Sequence, residues 1–326
     1  DGAHEDLKNF GKNWRWIRLP FRGGERLKRI AWQQTQLASQ AQNDGCELLH
    51  SPTYVAPLCA KIPVVLTVYD IIALKQPQLA KRSNVWHYRA LLPRSMRKAA
   101  RVIVPSEQVA RDVAQLDIRL AARTRVVPLG VEERFFQTLN QCDEVRARFQ
   151  LPPKFLLFVG NFEPKKNLAT LMRALSLLPD APPLVLAGGA RAWGDASTHI
   201  VSTCIVRSLG YVPRDHLPAL YWLCEAFVFP SLAESFGLPV LEALACGAPV
   251  VASVEVGLPN LEKVALLCEA RDEKTLAQHI ARVLHDGDLR AQMKSAGPVF
   301  AAPFSWRANA EQTLKIYREV WDEKRA

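Results

Sequence analysis

The sequence predicts an α/β protein with two domains, each built on a doubly wound parallel sheet. Short apolar runs alternate with helix-like patterns along the chain, and this alternation is typical of parallel sheets flanked by helices. The chain has 326 residues, of which 49% are hydrophobic and 23% charged, so it can bury a sizeable core. Because single cores rarely grow beyond roughly 250–300 residues, two domains are the simplest arrangement.

The first domain is predicted to span 1–131, followed by a linker over 132–153 and a second domain over 154–303. In the first domain, strands are expected near 46–50, 64–69, 101–105 and 125–128, and helices near 24–43, 84–99 and 106–116. In the second, strands are expected near 155–160, 183–187, 206–212, 226–230 and 249–252, and helices near 167–178, 214–224 and 238–246. Helices near 273–285, 288–296 and 306–321 follow, and residues 304–326 form the last element.

The most informative segment is Glu234–Glu242, which begins as an acidic loop after a predicted strand and runs into a predicted helix, with Glu242 about one turn inside that helix. Gly237 permits a tight turn, and Pro239 suits the first helical turn, where no amide donor is needed. The backbone N–H groups of Ser235, Phe236 and Gly237 would attract an anion such as phosphate. The two terminal carboxylates could then hold hydroxyl groups on either side of it. The alternative for such a pair of acids is solvated surface charge.

This segment closely resembles the E-x7-E signature of the retaining GT-B glycosyltransferases of family 4. Three further stretches match the family: Val159–Asn167 is similar to its phosphate loop, Gly210–Pro213 to its base-side strand, and Pro303–Trp306 to the start of its closing helix. The motifs fall in the family's order, and the resemblance covers roughly residues 48 to 324. It implies the GT-B fold, in which two Rossmann-like domains face a cleft and a C-terminal helix crosses back to the first domain.

The resemblance also implies roles for individual residues. Glu234 would contact the transferred sugar, Glu242 the nucleotide ribose, and Lys166 the donor phosphate. The family commonly has an arginine where this chain has Asn161, and Lys165 is the candidate to replace that cation. Catalytic roles are predicted for Glu234, Lys166 and Asp70, and donor-binding roles for Gly160, Asn161, Lys165, Lys166, Gly188, Tyr211, Val212, Ser235, Phe236, Gly237, Leu238 and Glu242.

Loops at the ends of first-domain strands are expected to face the cleft, because open α/β sheets bind ligands at the carboxyl ends of their strands. Tyr69 and Asp70 stand where the family usually has His-Asp, so the histidine near the sugar is missing here. His50 is either a site residue or a satisfied structural histidine. Ser106 and Glu107 also point toward the cleft by position, although Glu107 could instead cap its helix.

The implied reaction is the retaining transfer of a hexose, with mannose or glucose as our expectation, from a GDP- or UDP-linked donor to a glycan or lipid-linked acceptor. This activity belongs to polysaccharide biosynthesis. The resemblance implies a front-side displacement that needs no metal and no cofactor. Two alternatives stay open: a non-catalytic nucleotide-sugar-binding protein and a GT-B sugar-nucleotide epimerase. A glycoside hydrolase is disfavoured, because no dedicated pair of carboxylates is evident.

The positive charge is concentrated in the first domain. Residues 1–131 hold 21 Lys and Arg against 10 Asp and Glu, whereas residues 132–326 hold 21 against 22. Basic and aromatic residues alternate over 14–32, which favours attachment to an anionic membrane surface. A basic face without a partner is the alternative, and no nucleic-acid-binding motif is present. We expect a cytoplasmic protein with peripheral attachment at the inner membrane face, since no stretch approaches the roughly 18 apolar residues needed to span a bilayer.

The start of the chain departs from the family pattern. The family opens with a strand, a glycine-rich turn and a helix, but the chain runs from Asp1 to Trp14 without that unit. We therefore expect the first domain to lack this unit, either because the chain is truncated or because the unit is absent in nature, and we expect donor binding ahead of turnover. The seven cysteines contain no C-x-x-C pair and are expected to be reduced thiols.

Overall fold

The structure is a computed structural model that describes residues 26–80, 82–137, 141–189 and 205–325. Within these ranges the first domain contains a four-stranded parallel sheet in the order β1-β2-β3-β4. Its strands are β1 (Leu49–Ser51), β2 (Val64–Thr67), β3 (Arg101–Val104) and β4 (Thr124–Val126). Its helices are α1 (Arg26–Thr35), α2 (Leu37–Asn43), α3 (Ile72–Lys75), α4 (Arg82–Lys98) and α5 (Glu107–Leu116).

The second domain contains a six-stranded parallel sheet in the order β10-β9-β8-β5-β6-β7. Its strands are β5 (Leu156–Val159), β6 (Leu184–Ala187), β7 (Val206–Ser208), β8 (Ala226–Phe229), β9 (Val250–Ser253) and β10 (Leu266–Cys268). The helices are α6 (Cys142–Arg148), α7 (Leu168–Ser176), α8 (Leu217–Leu223), α9 (Leu238–Ala245), α10 (Glu273–His285), α11 (Gly287–Ala301) and α12 (Trp306–Arg325). The strand order reverses between β5 and β8, and such a switch point is where open α/β sheets bind ligands.

Two segments that cross between the domains lie side by side. The N–H of Val131 donates to the carbonyl of Phe304 over 2.9 Å. Asn309 Nδ2 donates to the carbonyl of Pro128 over 2.7 Å. The outgoing chain after β4 and the returning chain before α12 are therefore joined by backbone and side-chain hydrogen bonds.

Helix α12 covers one face of the first sheet. Ile316 and Val320 are buried against Val65 of β2 and Ile103 of β3. Neighbouring residues of these strands point to the opposite face, because strand side chains alternate, and there Leu66 joins the main first-domain core. The predicted GT-B arrangement, with a terminal helix that returns to the first domain, is confirmed.

The elements differ from the sequence prediction mainly at short segments. The helix expected over 24–43 is interrupted at Gln36, where Thr35 Oγ1 donates to the Ala31 carbonyl, a bond often found at helix bends. The expected linker contains α6, which buries Val145. Strand β10 was not predicted, because three residues at a sheet edge carry too little periodicity to detect. Most of the basic segment 14–32 lies outside the described residues.

Candidate active site

The acidic loop begins where β8 ends and turns into α9 through Gly237. Gly237 has a φ of 98°, and a Cβ there would lie 2.6 Å from Val256 Cγ1, so the turn requires glycine. The N–H of Gly257 donates to the Glu234 carbonyl over 3.0 Å and holds the loop against the segment after β9. In α9 the Leu241 N–H donates a hydrogen bond to the Gly237 carbonyl. The backbone N–H groups at the start of the helix precede this bond, and such groups can bind an anion in the cleft.

Lys166 and Glu234 form an ion pair between the ends of two adjacent strands. Lys166 Nζ lies 2.5 Å from Glu234 Oε2, and the two side chains are 11% and 16% exposed. The same Nζ lies 4.5 Å from the centroid of the Phe229 ring. Asn167, the next residue, holds the loop that carries Lys166 against the end of β8, since its Nδ2 donates to the Pro230 carbonyl over 2.9 Å. The structure thus brings two predicted catalytic residues together at the switch point between β5 and β8.

Lys165 lies beside this pair. Its carbonyl accepts hydrogen bonds from Ser231 Oγ at 3.0 Å and from the Leu232 N–H at 2.7 Å, so the two loops are joined. Its side chain lines the cleft, with Nζ 3.8 Å from Glu163 Oε2. Asn161 lies earlier in the same loop, and it does not line the interdomain cavity that Lys165 faces.

Glycines at the carboxyl ends of β5, β6 and β7 bring three backbone segments close together. Gly188 has a φ of 141°, and a Cβ there would lie 1.9 Å from the Gly160 carbonyl oxygen. The Gly188 N–H donates to the Gly210 carbonyl over 2.8 Å. The next two residues after Gly210 differ in exposure, since the Tyr211 side chain is exposed and that of Val212 is buried. The predicted donor-binding positions Gly160, Gly188, Tyr211 and Val212 thus follow neighbouring strands, and none of them lines the cavity that contains Glu234.

Glu242 is buried in the first turns of α9 and has two partners. Arg214 Nη2 lies 3.1 Å from its Oε1, and the Tyr221 hydroxyl donates to its Oε2 over 3.3 Å. Burial raises the pKa of Glu242 to about 7, while the Arg214 charge and the Tyr221 hydrogen bond act in the opposite direction. Arg214 Nε also lies 2.5 Å from Glu132 Oε1, in the segment between the domains. The sequence analysis did not select Arg214, although it directly follows the base-side motif Gly210–Pro213.

The first domain contributes Asp70 to the opposite wall. Its Oδ2 accepts a hydrogen bond from the Tyr54 hydroxyl over 2.8 Å, and its Oδ1 accepts one from the Ile72 N–H over 3.1 Å. Burial and the Asp70 carboxylate hold the pKa of Tyr54 far above its usual range. Ser106 Oγ donates to the Ser235 carbonyl over 2.6 Å, so the acidic loop is bonded directly across the cleft.

His50 has a structural role. The Tyr317 hydroxyl of α12 lies 2.5 Å from His50 Nδ1, and Thr67 Oγ1 lies 2.8 Å from its Nε2. Burial lowers the pKa of this imidazole, which favours the neutral ring. His50 was predicted to be either a site residue or a structural histidine. The structure favours the second, because both ring nitrogens have hydrogen-bond partners beneath the terminal helix.

These walls enclose a cavity of about 380 Å³ between the domains. Asp70 faces it from one side, and Lys165, Arg214 and the segment Glu234–Glu242 face it from the other. Phosphate, ribose and sugar hydroxyls could all find partners here: cations and helix amides for the anion, carboxylates for the hydroxyls. In the described ranges, no group of three or more His, Cys, Asp or Glu is placed to hold a metal ion.

Two family models and several relatives match the chain. The model described as Glycosyltransferase Family 4 matches residues 3–135, and that described as Glycosyl transferases group 1 matches residues 143–300. The chain is 30% identical over 283 residues to O-antigen chain mannosyltransferase B of Escherichia coli, covering 83% of this chain and 74% of the relative. It is 32% identical over 284 residues to D-inositol 3-phosphate glycosyltransferase of Corynebacterium jeikeium strain K411, covering 80% of this chain and 67% of the relative.

Among solved structures, the crystal structure of Anabaena HepE in complex with UDP and glucose is similar to this chain, with a TM-score of 0.73. The sequences are 22% identical, and the match covers 92% of this chain and 84% of HepE. At this level of identity the similarity establishes the shared fold.

Proposed function

Because this chain belongs to glycosyltransferase family 4 and has the GT-B fold, we propose that it transfers a hexose, with retention, from a nucleotide-diphosphate sugar to a glycan or lipid-linked acceptor. The observation that carries the proposal is the Lys166–Glu234 ion pair, 2.5 Å long and placed at the switch point of the second sheet. In this pair, Lys166 would supply a cation for the leaving diphosphate, and Glu234 would supply a carboxylate for the sugar hydroxyl groups.

The diphosphate would lie between Lys166 and the amino end of α9. Its negative charge increases as the bond to the sugar breaks, and a fixed ammonium group and aimed amides stabilise such charge. Lys165 would add a second cation. Glu242 would accept hydrogen bonds from the ribose hydroxyls, and the backbone of Tyr211 and Val212 would contact the base.

Retention would follow from a front-side displacement. The acceptor oxygen bonds to the anomeric carbon on the face that the diphosphate leaves, and a diphosphate oxygen takes the acceptor's proton. No protein nucleophile is needed. Asp70, held by Tyr54 and the Ile72 amide, would orient hydroxyl groups of the reacting sugar from the first domain.

Mannose and glucose are the proposed sugars, carried on GDP or UDP. One relative is named as an O-antigen chain mannosyltransferase, and the HepE structure holds UDP and glucose. These names favour a bacterial polysaccharide as the final product. We further propose that transfer needs neither a metal nor a cofactor, because Lys166 and the α9 amides would neutralise the diphosphate.

Helix α4 supports attachment of the first domain to an anionic membrane at the cytoplasmic face. It contains no acidic residue, Trp86 is 76% exposed, and Arg89 and Lys98 are exposed. None of the helices in the described ranges is both long and apolar enough to cross a bilayer. Co-sedimentation with anionic vesicles, compared with neutral ones, tests the attachment; a Trp86→Ala, Arg89→Gln variant should bind less.

The decisive experiment is donor turnover. The protein is incubated separately with GDP-mannose and UDP-glucose plus mannoside or glucoside acceptors, and nucleotide release, product linkage and anomeric configuration are measured by NMR. The proposal expects glycoside with the donor's configuration and equal rates with and without EDTA. An inverted product or loss of activity in EDTA would contradict the mechanism. Binding without turnover would favour a binding protein, and isomerised sugar without transfer would favour an epimerase.

A further inference from the structure

A second cavity, of about 730 Å³, lies between the two domains, and we name it the distal pocket. One wall consists of residues that follow strands β8, β9 and β10, namely Leu232, Glu255 and Glu269. The opposite wall is the first-domain turn that contains Gln76 and Gln78. Its volume lies within the range of about 300–1,000 Å³ that is usual for ligand pockets.

The distal pocket shares its loops with the proposed donor site. Leu232 lies two residues before Glu234 on the same loop, and Glu255 precedes Val256, which forms a backbone bridge with Glu234. On the first-domain side, the segment after Asp70 leads directly to Gln76. A molecule in the distal pocket would therefore lie next to the sugar that Glu234 is proposed to hold.

The pocket wall carries charges of both signs, with four acidic side chains and two basic ones. Two acids of the wall are already engaged: Asp272 caps α10 through the Thr275 N–H at 2.9 Å, and Glu273 lies 3.5 Å from Arg173. The remaining charged groups of the wall are Glu255, Glu269, Arg271 and Lys274, and within the described ranges none of these four forms an ion pair. Two carboxylates, two cations and two amides give a wall that both donates and accepts hydrogen bonds.

Such a wall suits neutral hydroxyl groups better than phosphate or lipid. A phosphate held by Arg271 would also face the carboxylates of Glu255 and Glu269, and like charges at close range are unfavourable. An acyl chain would find apolar contacts only from Leu79, Leu232 and Ala270 on the described wall. Sugar hydroxyls, which donate and accept at once, can pair with every polar group present.

We propose that the distal pocket is an acceptor subsite that binds the uncharged end of a glycan chain. This inference rests on the proposed function and narrows it: the acceptor is a neutral oligosaccharide, not an inositol phosphate or another phosphorylated small molecule. Glu255 and Glu269 determine acceptor specificity, and they neither touch the donor phosphate nor take part in bond breaking.

The test uses the full chain with Glu255→Gln, Glu269→Gln and Gln78→Trp substitutions, and Glu262→Gln as the control. Glu262 is an exposed glutamate of the same domain outside the pocket. The probes are an α-linked mannose disaccharide and D-inositol 3-phosphate, with whichever donor the wild-type protein uses. Measured quantities are the acceptor KM, the donor dissociation constant, and disaccharide binding by saturation-transfer NMR in the presence of nucleotide diphosphate.

We expect the wild-type protein to bind and use the disaccharide in preference to the phosphorylated probe. Each pocket variant should raise the acceptor KM about ten-fold or more, as expected for a lost charge-assisted hydrogen bond or a blocked wall, with an unchanged donor dissociation constant. The control should match the wild type.

Unchanged acceptor KM and unchanged NMR binding in all three variants would overturn the inference while the proposed function stands. Preference for D-inositol 3-phosphate would overturn it as well. Absence of donor binding in the wild-type protein would instead refute the proposed function. The NMR binding of the disaccharide then still decides whether the pocket recognises neutral sugar.

Discussion

The Arg214 guanidinium lies 3.1 Å from the buried carboxylate of Glu242, measured from Nη2 to Oε1. Arg214 also contacts Glu132 in the segment between the domains, at 2.5 Å from Nε to Oε1. Among the described residues, Arg214 and Glu132 are the charged groups that shift the pKa of Glu242, and the Tyr221 hydroxyl donates to its other carboxylate oxygen. One arginine connects the proposed ribose-binding residue to the interdomain segment.

The first prediction concerns the pH dependence of donor binding. The pKa of Glu242 is raised to about 7 by burial, and Arg214 opposes that rise. If the ionised carboxylate binds ribose, the donor dissociation constant should fall as pH rises through about 7. In Arg214→Met the midpoint should move to higher pH, because the group that favours the ionised form is gone. Calorimetric titrations with the donor between pH 5.5 and about 9 measure both midpoints.

Arg207→Met is the matched control, because Arg207 lies on β7 and contacts Gln150 rather than Glu242. Its midpoint should equal that of the wild type. An unchanged midpoint in Arg214→Met would show that Arg214 does not control the ionisation of Glu242.

The second prediction follows from the same pKa shift and concerns stability. In the folded state the pKa of Glu242 is about 7, above its ordinary value of 4.5, so the folded protein binds this proton more tightly than the unfolded chain. Stability should therefore fall as pH rises from about 4.5 through about 7 and then level off. In Glu242→Gln, the decrease in the free energy of unfolding between pH 5 and pH 8 should be smaller by roughly 1–3 kcal/mol. Urea unfolding at the two pH values measures this difference. A variant with the same pH profile as the wild type would contradict the raised pKa.

The third prediction concerns the ion pair that carries the proposed function. Lys166→Met should lower kcat by about 10²–10³-fold, because it removes the charge that receives the diphosphate. Glu234→Gln should also lower kcat. Since each single change leaves its partner unpaired in a mostly buried site, the double variant should lose less than the two single losses combined.

Lys263→Met serves as the control for Lys166→Met, since Lys263 is exposed and does not line the interdomain cavity. That variant should keep wild-type kcat. Strictly additive losses in the double variant would mean that Lys166 and Glu234 act independently, contrary to their 2.5 Å contact.

The sequence predicted the parts of this molecule that carry repeated or dense local signals. Fully buried strands such as β5, β8 and β9 and the segment Glu234–Glu242 fall in this class, because apolar runs and turn residues at defined positions identify them. Arg214 does not, since a single arginine after a turn has many structural uses and its partner Glu242 lies 28 positions away. The distal pocket could not be predicted from the sequence either, because its walls come from three separate loops of one domain and a turn of the other.

The fourth prediction tests the close approach of strand ends at the proposed donor site. Gly188 has a φ of 141°, and a Cβ there would lie 1.9 Å from the Gly160 carbonyl oxygen, which is backbone and cannot rotate away. Gly188→Ala should therefore destabilise the protein by roughly 2–4 kcal/mol and weaken donor binding. Gly189→Ala is the control, since a Cβ there meets no atom of the described residues within 4 Å. Thermal unfolding compares the two variants, and equal midpoints would argue against a tight contact at Gly188.

The last prediction concerns how α12 stabilises the first domain. Ile316 is 4% exposed and packs against the sheet face formed by Val65 and Ile103, whereas Leu314 on the same helix is 46% exposed. Ile316→Ala should cost roughly 2–4 kcal/mol, because it leaves a cavity under the helix, and Leu314→Ala should change stability by less than about 0.5 kcal/mol. Hydrogen exchange should become faster in β2 and β3 of the Ile316 variant, with β8 and β9 unaffected, because Ile316 packs against the first sheet. Equal acceleration in both sheets would instead mean that α12 stabilises the protein as one cooperative unit, and no change in β2 and β3 would mean that the helix is not needed to hold the first sheet.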